Sequence, residues 1–127
     1  MKTPQDLVSA AKAQITEVAL AQAAAACDKA DIVIDVREPE EYATGHIEKA
    51  VLIPRGLLEF KIDDLTATTG ADTNIVLYCK TGGRAALAAQ SLEALGYKQV
   101  VSIAGGFEAW TEADMPKVKP NDEIDFG

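Results

Sequence analysis

Four short apolar runs punctuate the chain and are separated by longer, mixed segments. The runs cover 32–34, 51–53, 75–78 and 100–103, and most of their residues are valine, isoleucine or leucine. Runs of this length and composition are typical of buried strands. Because helix-like segments alternate with them, the pattern predicts an α/β fold, with a parallel sheet covered by helices on both faces.

The segments before the first run predict two helices. One is expected over about 3–14, where Thr3 is suited to cap it and Pro4 to occupy its first turn. Thr16 is interpreted as the cap of a second, alanine-rich helix that runs towards Cys27. Between the later runs, shorter helices are expected over EPEEYA and within 56–65, with turn residues over TATTGADTN.

The segment after the third run has the clearest helical spacing. Its apolar positions fall on one helix face and are Ala85, Ala88, Ala89, Leu92 and Leu95. Gly96 is expected to end this helix, with Tyr97 packing back on it. After the fourth run, Gly105 and Gly106 turn the chain into a short helix, and the residues from 116 onward form a polar tail that we expect to be loosely attached.

Polar and glycine residues follow every predicted strand at its carboxyl end. These segments are 35–37, 54–55, 79–84 and 104–106. In parallel sheets, ligands bind beyond the carboxyl ends of the strands. The candidate functional residues are therefore expected to gather at one rim of the sheet.

Composition and charge narrow the classes of partner. The chain has 127 residues, 48% of them hydrophobic, and a formal net charge of −8. This length fits one domain, and the acidic balance argues against nucleic acid and anionic membranes as partners. Two cysteines and one histidine are too few for a structural zinc site or a disulfide framework, and no apolar run is long enough to span a membrane. A reducing cytoplasm is the expected compartment.

The stretch YCKTGGRAA, residues 78–86, carries the strongest candidate chemistry. Cys79 lies where the third strand turns into a helix, so free N–H groups and the positive end of the helix dipole are expected to face its sulfur. Such an environment stabilises a thiolate and makes it nucleophilic near neutral pH. Lys80 and Arg84 add positive charge, and Arg84 has the geometry to bind an oxyanion with paired hydrogen bonds. The alternative is a small buried cysteine beside glycines that serve only the turn.

The remaining candidates have simpler interpretations. Asp35 and Arg37 are expected to form an ion pair that ties down a loop, rather than to act chemically. Arg55 is either an additional anion contact or a solvated arginine. Cys27 is expected in the core and His46 to bond locally, although a Cys–His dyad is chemically conceivable. Phe107 and Trp110 are assigned to the core, and a solvated face is assigned to Glu38, Glu40, Glu41 and Glu48.

Three segments together resemble the single-domain rhodaneses, the thiosulfate sulfurtransferase family. They are DIVIDVREPEEYATGHIEKAVLIP, IVLYCKTGGRAALAAQSLEALGY and VVSIAGGFEAW, in that order along the chain. The resemblance implies a five-stranded parallel sheet over 15–115, preceded by an extra helix at 1–14 and followed by a tail at 116–127. It also implies that Cys79 is the nucleophile.

The resemblance implies a reaction as well. The anion-binding loop would consist of Lys80, Thr81, Gly82, Gly83 and Arg84. Cys79 would take sulfur from thiosulfate, or from a thiol persulfide, as a persulfide. A thiophilic acceptor such as cyanide, a thiol or a protein would then remove it, and neither a metal nor an organic cofactor would be needed.

Loop length separates related branches of this family. Four residues lie between Cys79 and Arg84, whereas the related dual-specificity phosphatases and arsenate reductases have one more, which fits a tetrahedral phosphate. The short loop favours attack on sulfur. A phosphatase or arsenate reductase is the less favoured enzyme, and a non-catalytic rhodanese module that binds a partner is the alternative from another class.

Overall fold

Five parallel strands form the centre of the computed structural model, which describes residues 1–120. The strands are β1 Thr16–Val18, β2 Ile32–Asp35, β3 Val51–Leu52, β4 Asn74–Tyr78 and β5 Gln99–Ile103. Their order in the sheet is β1-β5-β4-β2-β3, and all pairs are parallel. The α/β class and the five-stranded parallel sheet are thereby confirmed.

Six α-helices and two short 3-10 turns accompany these strands within residues 1–120; the first helix precedes β1, and the last follows β5. The helices are α1 Pro4–Gln14, α2 Leu20–Lys29, α3 Pro39–Ala43, α4 Leu58–Thr66, α5 Gly83–Leu95 and α6 Gly106–Glu112, and the 3-10 turns are Arg55–Leu57 and Gly70–Asp72. None of these helices has the length and apolar content needed to cross a bilayer.

Two apolar layers hold the helices on the two faces of the sheet. Because successive strand residues point to opposite faces, Ile34 packs in the layer that contains α4 and α5, whereas Val33 packs in the layer that contains α2 and Trp110 of α6. The helix α1 lies against α5, outside the first layer.

The predicted cap of the N-terminal helix is confirmed, but the predicted start of the second helix at Thr16 is wrong. Thr3 accepts a hydrogen bond from the Asp6 N–H and forms a capping box at the start of α1. Thr16, however, lies in the edge strand β1, where it pairs with Val101, and α2 begins only at Leu20. A three-residue strand with the charged Glu17 at its centre has no apolar run by which sequence could reveal it.

Two further expectations need correction at helix α5 and in the tail. Leu95 is 53% exposed because it lies in the last turn of α5, whereas the other four predicted positions are fully buried. The start of the tail is attached rather than loose, since Val118 pairs with His46 in an antiparallel bridge and Trp110 Nε1 donates to the Pro116 carbonyl. The rest of the predicted tail, 121–127, lies outside the described residues.

Candidate active site

The Cys79 sulfur lies at the amino terminus of the 13-residue helix α5. Cys79 follows β4 directly, and its Sγ accepts hydrogen bonds from the N–H groups of Gly82, at 3.1 Å, and Ala85, at 3.4 Å. Gly82 has a φ of 112°, a left-handed conformation that glycine adopts without strain, and this curls the loop around the sulfur. The two N–H donors and the positive end of the helix dipole therefore face the sulfur.

The sulfur is sheltered from solvent. Cys79 is only 1% exposed, while Lys80 and Thr81 are exposed on the outside of the loop. In the described part of the chain, the N–H groups of Gly83 and Arg84 have no acceptor, as expected for the first turn of a helix. The loop therefore retains donors beyond those that already contact Cys79.

The start of α6 holds the carbonyl groups of the loop. The Phe107 N–H donates to the Cys79 carbonyl at 2.8 Å, and the Glu108 N–H donates to the Lys80 carbonyl at 2.9 Å. Gly106 makes this approach feasible, because a Cβ there would lie 2.6 Å from both carbonyl oxygens. The sequence predicted a turn at Gly106 but not its contact with the loop.

Arg84 is held by Glu41, which the sequence analysis placed on a solvated face. Arg84 Nη1 donates to Glu41 Oε1 at 2.7 Å, and Nη2 donates to Oε2 at 3.0 Å. These hydrogen bonds lower the pKa of Glu41 to about 2. The pair joins α5 to α3, and it occupies the paired donors of Arg84 that we expected to bind an oxyanion.

The predicted ion pair between Asp35 and Arg37 is present and buried. Arg37 donates to Asp35 through Nε, at 3.0 Å, and Nη2, at 2.7 Å, and Nη2 also donates to the Gly45 carbonyl at 2.7 Å. Its guanidinium lies 4.4 Å from the ring centre of Phe107. The pair therefore connects the end of β2 to the segment after α3 and to α6, and its supporting role in the site stays a prediction.

The other candidates have partners away from the loop. Arg55 donates to Glu59 and Ser91, on α4 and α5, so a contact with substrate stays a prediction. His46 is buried, and its Nδ1 lies 2.9 Å from the Ile47 carbonyl, the local bonding that we expected. Cys27 is 5% exposed in the core, and burial raises its pKa to about 11.

An acidic groove of about 460 Å³ opens beside Lys80. Phe107 and the buried Arg37 contribute to its wall, together with carboxylates from α3 and α6. Those carboxylates are Glu40, Glu41, Glu108 and Glu112. With more carboxylates than cations, this groove repels an anion rather than attracting one.

The comparisons with known proteins agree with the fold. A family model described as Rhodanese-like domain matches residues 18–113. A protein of Allochromatium vinosum named sulfurtransferase is 32% identical over 70% of this chain and 79% of its own length. In eight of the curated relatives that match, the shared region spans between 21% and 79% of the relative's own length.

Two solved structures are similar over nearly the whole chain. One is a protein of unknown function from Rhodopseudomonas palustris, described as a possible tyrosine phosphatase, with a TM-score of 0.81 and 32% identity over 91% of this chain and 94% of its own. The other is the polysulfide-sulfur transferase homodimer of Wolinella succinogenes, with a TM-score of 0.75 and 29% identity over 97% and 92%.

Proposed function

The chain belongs to the family of rhodanese-like domains, and on this premise we propose that it is a sulfurtransferase whose Cys79 carries the sulfur. Relatives named for sulfur transfer support this class of activity. The observation that carries the proposal is the position of Cys79 Sγ, which accepts one backbone N–H from the four-residue loop, at Gly82, and one from the first turn of α5, at Ala85. Thiosulfate is the proposed donor, and a thiol persulfide is the alternative donor.

In the first half of the proposed reaction, the Cys79 thiolate attacks the outer sulfur of thiosulfate. A new S–S bond forms to Cys79, the S–S bond of thiosulfate breaks, and sulfite leaves with its electron pair. The N–H groups of Gly82 and Ala85 stabilise the attacking anion. The unpaired N–H groups of Gly83 and Arg84 are suited to stabilise the charge of the persulfide sulfur.

In the second half, a nucleophilic acceptor such as cyanide or a thiolate attacks the outer sulfur of the persulfide. A bond forms between the acceptor and the outer sulfur, and the S–S bond of the persulfide breaks. The electron pair of the broken bond stays on the Cys79 sulfur, which is thereby regenerated as a thiolate. The cycle is balanced without an external oxidant or reductant. A protein thiol is an acceptor of the same chemical class.

Phosphatase activity is the second candidate, because one structural neighbour is described as a possible tyrosine phosphatase. Four residues between Cys79 and Arg84 make a small ring, and the paired donors of Arg84 already bind Glu41. A tetrahedral phosphate needs more room and free paired donors. We therefore favour attack on sulfur over attack on phosphorus.

A pair of turnover assays tests the proposal. One assay measures thiocyanate formation from thiosulfate and cyanide, and the other measures phosphate release from para-nitrophenyl phosphate. Both use the wild-type protein, Cys79→Ser and Cys27→Ser. We expect thiocyanate formation in the wild type and in Cys27→Ser, and none in Cys79→Ser. Thiocyanate formation that persists in Cys79→Ser would overturn the role of Cys79, and phosphate release without thiocyanate formation would favour the phosphatase.

A further inference from the structure

Helix α1 and the edge strand β1 bring an unassigned pair of charges to the active-site loop. The Val8 side chain lies 3.5 Å from the position that a Cβ on Gly83 would occupy. A Cβ on Gly82 would lie 3.7 Å from Lys12 Nζ and 4.0 Å from Glu17 Oε2. The N-terminal helix is therefore part of the wall of this site and not only a cover for α5.

The Lys12 ammonium is close to the reacting sulfur. Lys12 Nζ lies 3.7 Å from the Cβ position of Gly82, and the N–H of the same residue donates to Cys79 Sγ at 3.1 Å, so the ammonium lies within about 10 Å of the sulfur. The Lys12 side chain is 37% exposed. Its ion pair with Glu17 is long, at 3.8 Å, which exceeds the length of a hydrogen bond.

The other cations near the loop are less available to an anion. The paired donors of Arg84 bind Glu41, and Arg37 is buried against Asp35. Lys80 is exposed but borders the acidic groove. Because the chain carries a net charge of −8, an approaching anion needs a nearby cation whose field dominates at short range.

We propose that Lys12 binds the anionic group of the sulfur donor at the rim of the loop, with Glu17 as an internal competitor for its charge. This proposal rests on the proposed sulfur transfer for its donor class, of which thiosulfate is the probe. The two residues should then have opposite effects. Removal of the Lys12 charge weakens donor binding, and removal of the Glu17 charge strengthens it.

Equilibrium binding to a protein that cannot react tests this directly. The dissociation constant of thiosulfate is measured by calorimetry on Cys79→Ser protein, alone and with Lys12→Gln, Lys12→Arg or Glu17→Gln added. We expect Lys12→Gln to weaken binding by roughly two- to tenfold and Glu17→Gln to tighten it by a similar factor. Lys12→Arg should bind as the parent does, and the effect of Lys12→Gln should shrink at high salt.

Matched variants control for net charge. Lys98→Gln and Glu93→Gln make the same charge changes at exposed positions. Lys98 lies just before β5, at the amino ends of the parallel strands and so opposite the rim that holds the loop, and Glu93 lies towards the far end of α5. These controls should leave the dissociation constant unchanged. The assignment would be overturned if Lys12→Gln and Lys98→Gln had equal effects on the dissociation constant. Weaker binding in both Lys12→Gln and Glu17→Gln would also overturn it, as would the absence of measurable thiosulfate binding.

The same measurement separates this inference from the proposed function. Binding does not require Cys79, so an anion site that depends on Lys12 stands even where the wild-type protein transfers no sulfur. Conversely, sulfur transfer with no effect of Lys12 on thiosulfate binding would leave the proposed function intact and remove the role of Lys12.

Discussion

The substitution Gly106→Ala tests how the active-site loop is held. A Cβ at this position would lie 2.6 Å from the carbonyl oxygens of Cys79 and Lys80, which is closer than real contacts allow. Neither oxygen belongs to a flexible side chain, so the clash has to move the backbone of either the loop or α6. We expect Gly106→Ala to displace the loop carbonyls and with them the donors around the sulfur.

Two separate costs lower the free energy of unfolding of Gly106→Ala. Gly106 has a φ of 60°, and a left-handed conformation costs an alanine about 1–2 kcal/mol. The clash adds a further cost of about 1–3 kcal/mol, by analogy with overpacked cores. Gly70→Ala isolates the first cost, because Gly70 has a φ of 59° but nothing within 4 Å of its Cβ position.

The assay compares three variants by urea unfolding and by the rate of sulfur loading from thiosulfate. Gly56→Ala, which has neither a positive φ nor a neighbour within 4 Å, should behave as the wild type in both measurements. Gly70→Ala should lose stability but load sulfur normally. Gly106→Ala should lose more stability and load sulfur at least tenfold more slowly, because a small displacement of catalytic groups slows a reaction strongly. Equal loading rates in Gly106→Ala and Gly70→Ala would refute the role of α6 in positioning the loop.

Two further predictions concern Glu41 and Cys27. The pKa of Glu41 is lowered to about 2, so its pairing with Arg84 stabilises the fold above the ordinary carboxyl pKa near 4.5 and is lost as the pH falls towards 2. The free energy of unfolding, measured with urea, should therefore be about 1 kcal/mol higher in the wild type than in Glu41→Gln at pH 7, a modest difference because the pair is partly exposed. This difference should vanish towards pH 2. A difference that stays constant with pH would contradict the pairing. Because burial raises the pKa of Cys27 to about 11, iodoacetamide at pH 8 should not alkylate it, which peptide mass spectrometry checks, and rapid modification of Cys27 would be inconsistent with this environment.

The sequence predicts those parts of the molecule that are specified by residues close together in the chain. The strands β2, β4 and β5 contain the apolar runs 32–34, 75–78 and 100–103, because both faces of a parallel strand are buried. The Cys79 loop is similarly local, since its cysteine, glycines and arginine all lie within the six residues 79–84. Edge strand β1 gives no such signal, because its three residues depend on pairing with β5.

The features that were missed depend on contacts between distant parts of the chain. Glu41 lies in a cluster of surface glutamates, and nothing local distinguishes the one that meets Arg84, 43 positions away. Lys12 belongs to a helix whose pattern shows only that it is amphipathic, and its position beside Gly82 follows from the packing of α1 on α5. Val118 is likewise placed by pairing with His46 and not by its own sequence context.

The central claim is that Cys79 carries sulfur as a persulfide, and intact mass spectrometry tests it most directly. Reduced wild-type protein, Cys27→Ser and Cys79→Ser are each exposed briefly to thiosulfate and then to cyanide. The account predicts a gain of one sulfur atom, about 32 Da, in the first two proteins and its loss on adding cyanide, with no gain in Cys79→Ser. A gain that persists in Cys79→Ser, or no gain in any protein with either thiosulfate or a thiol persulfide as donor, would contradict the account.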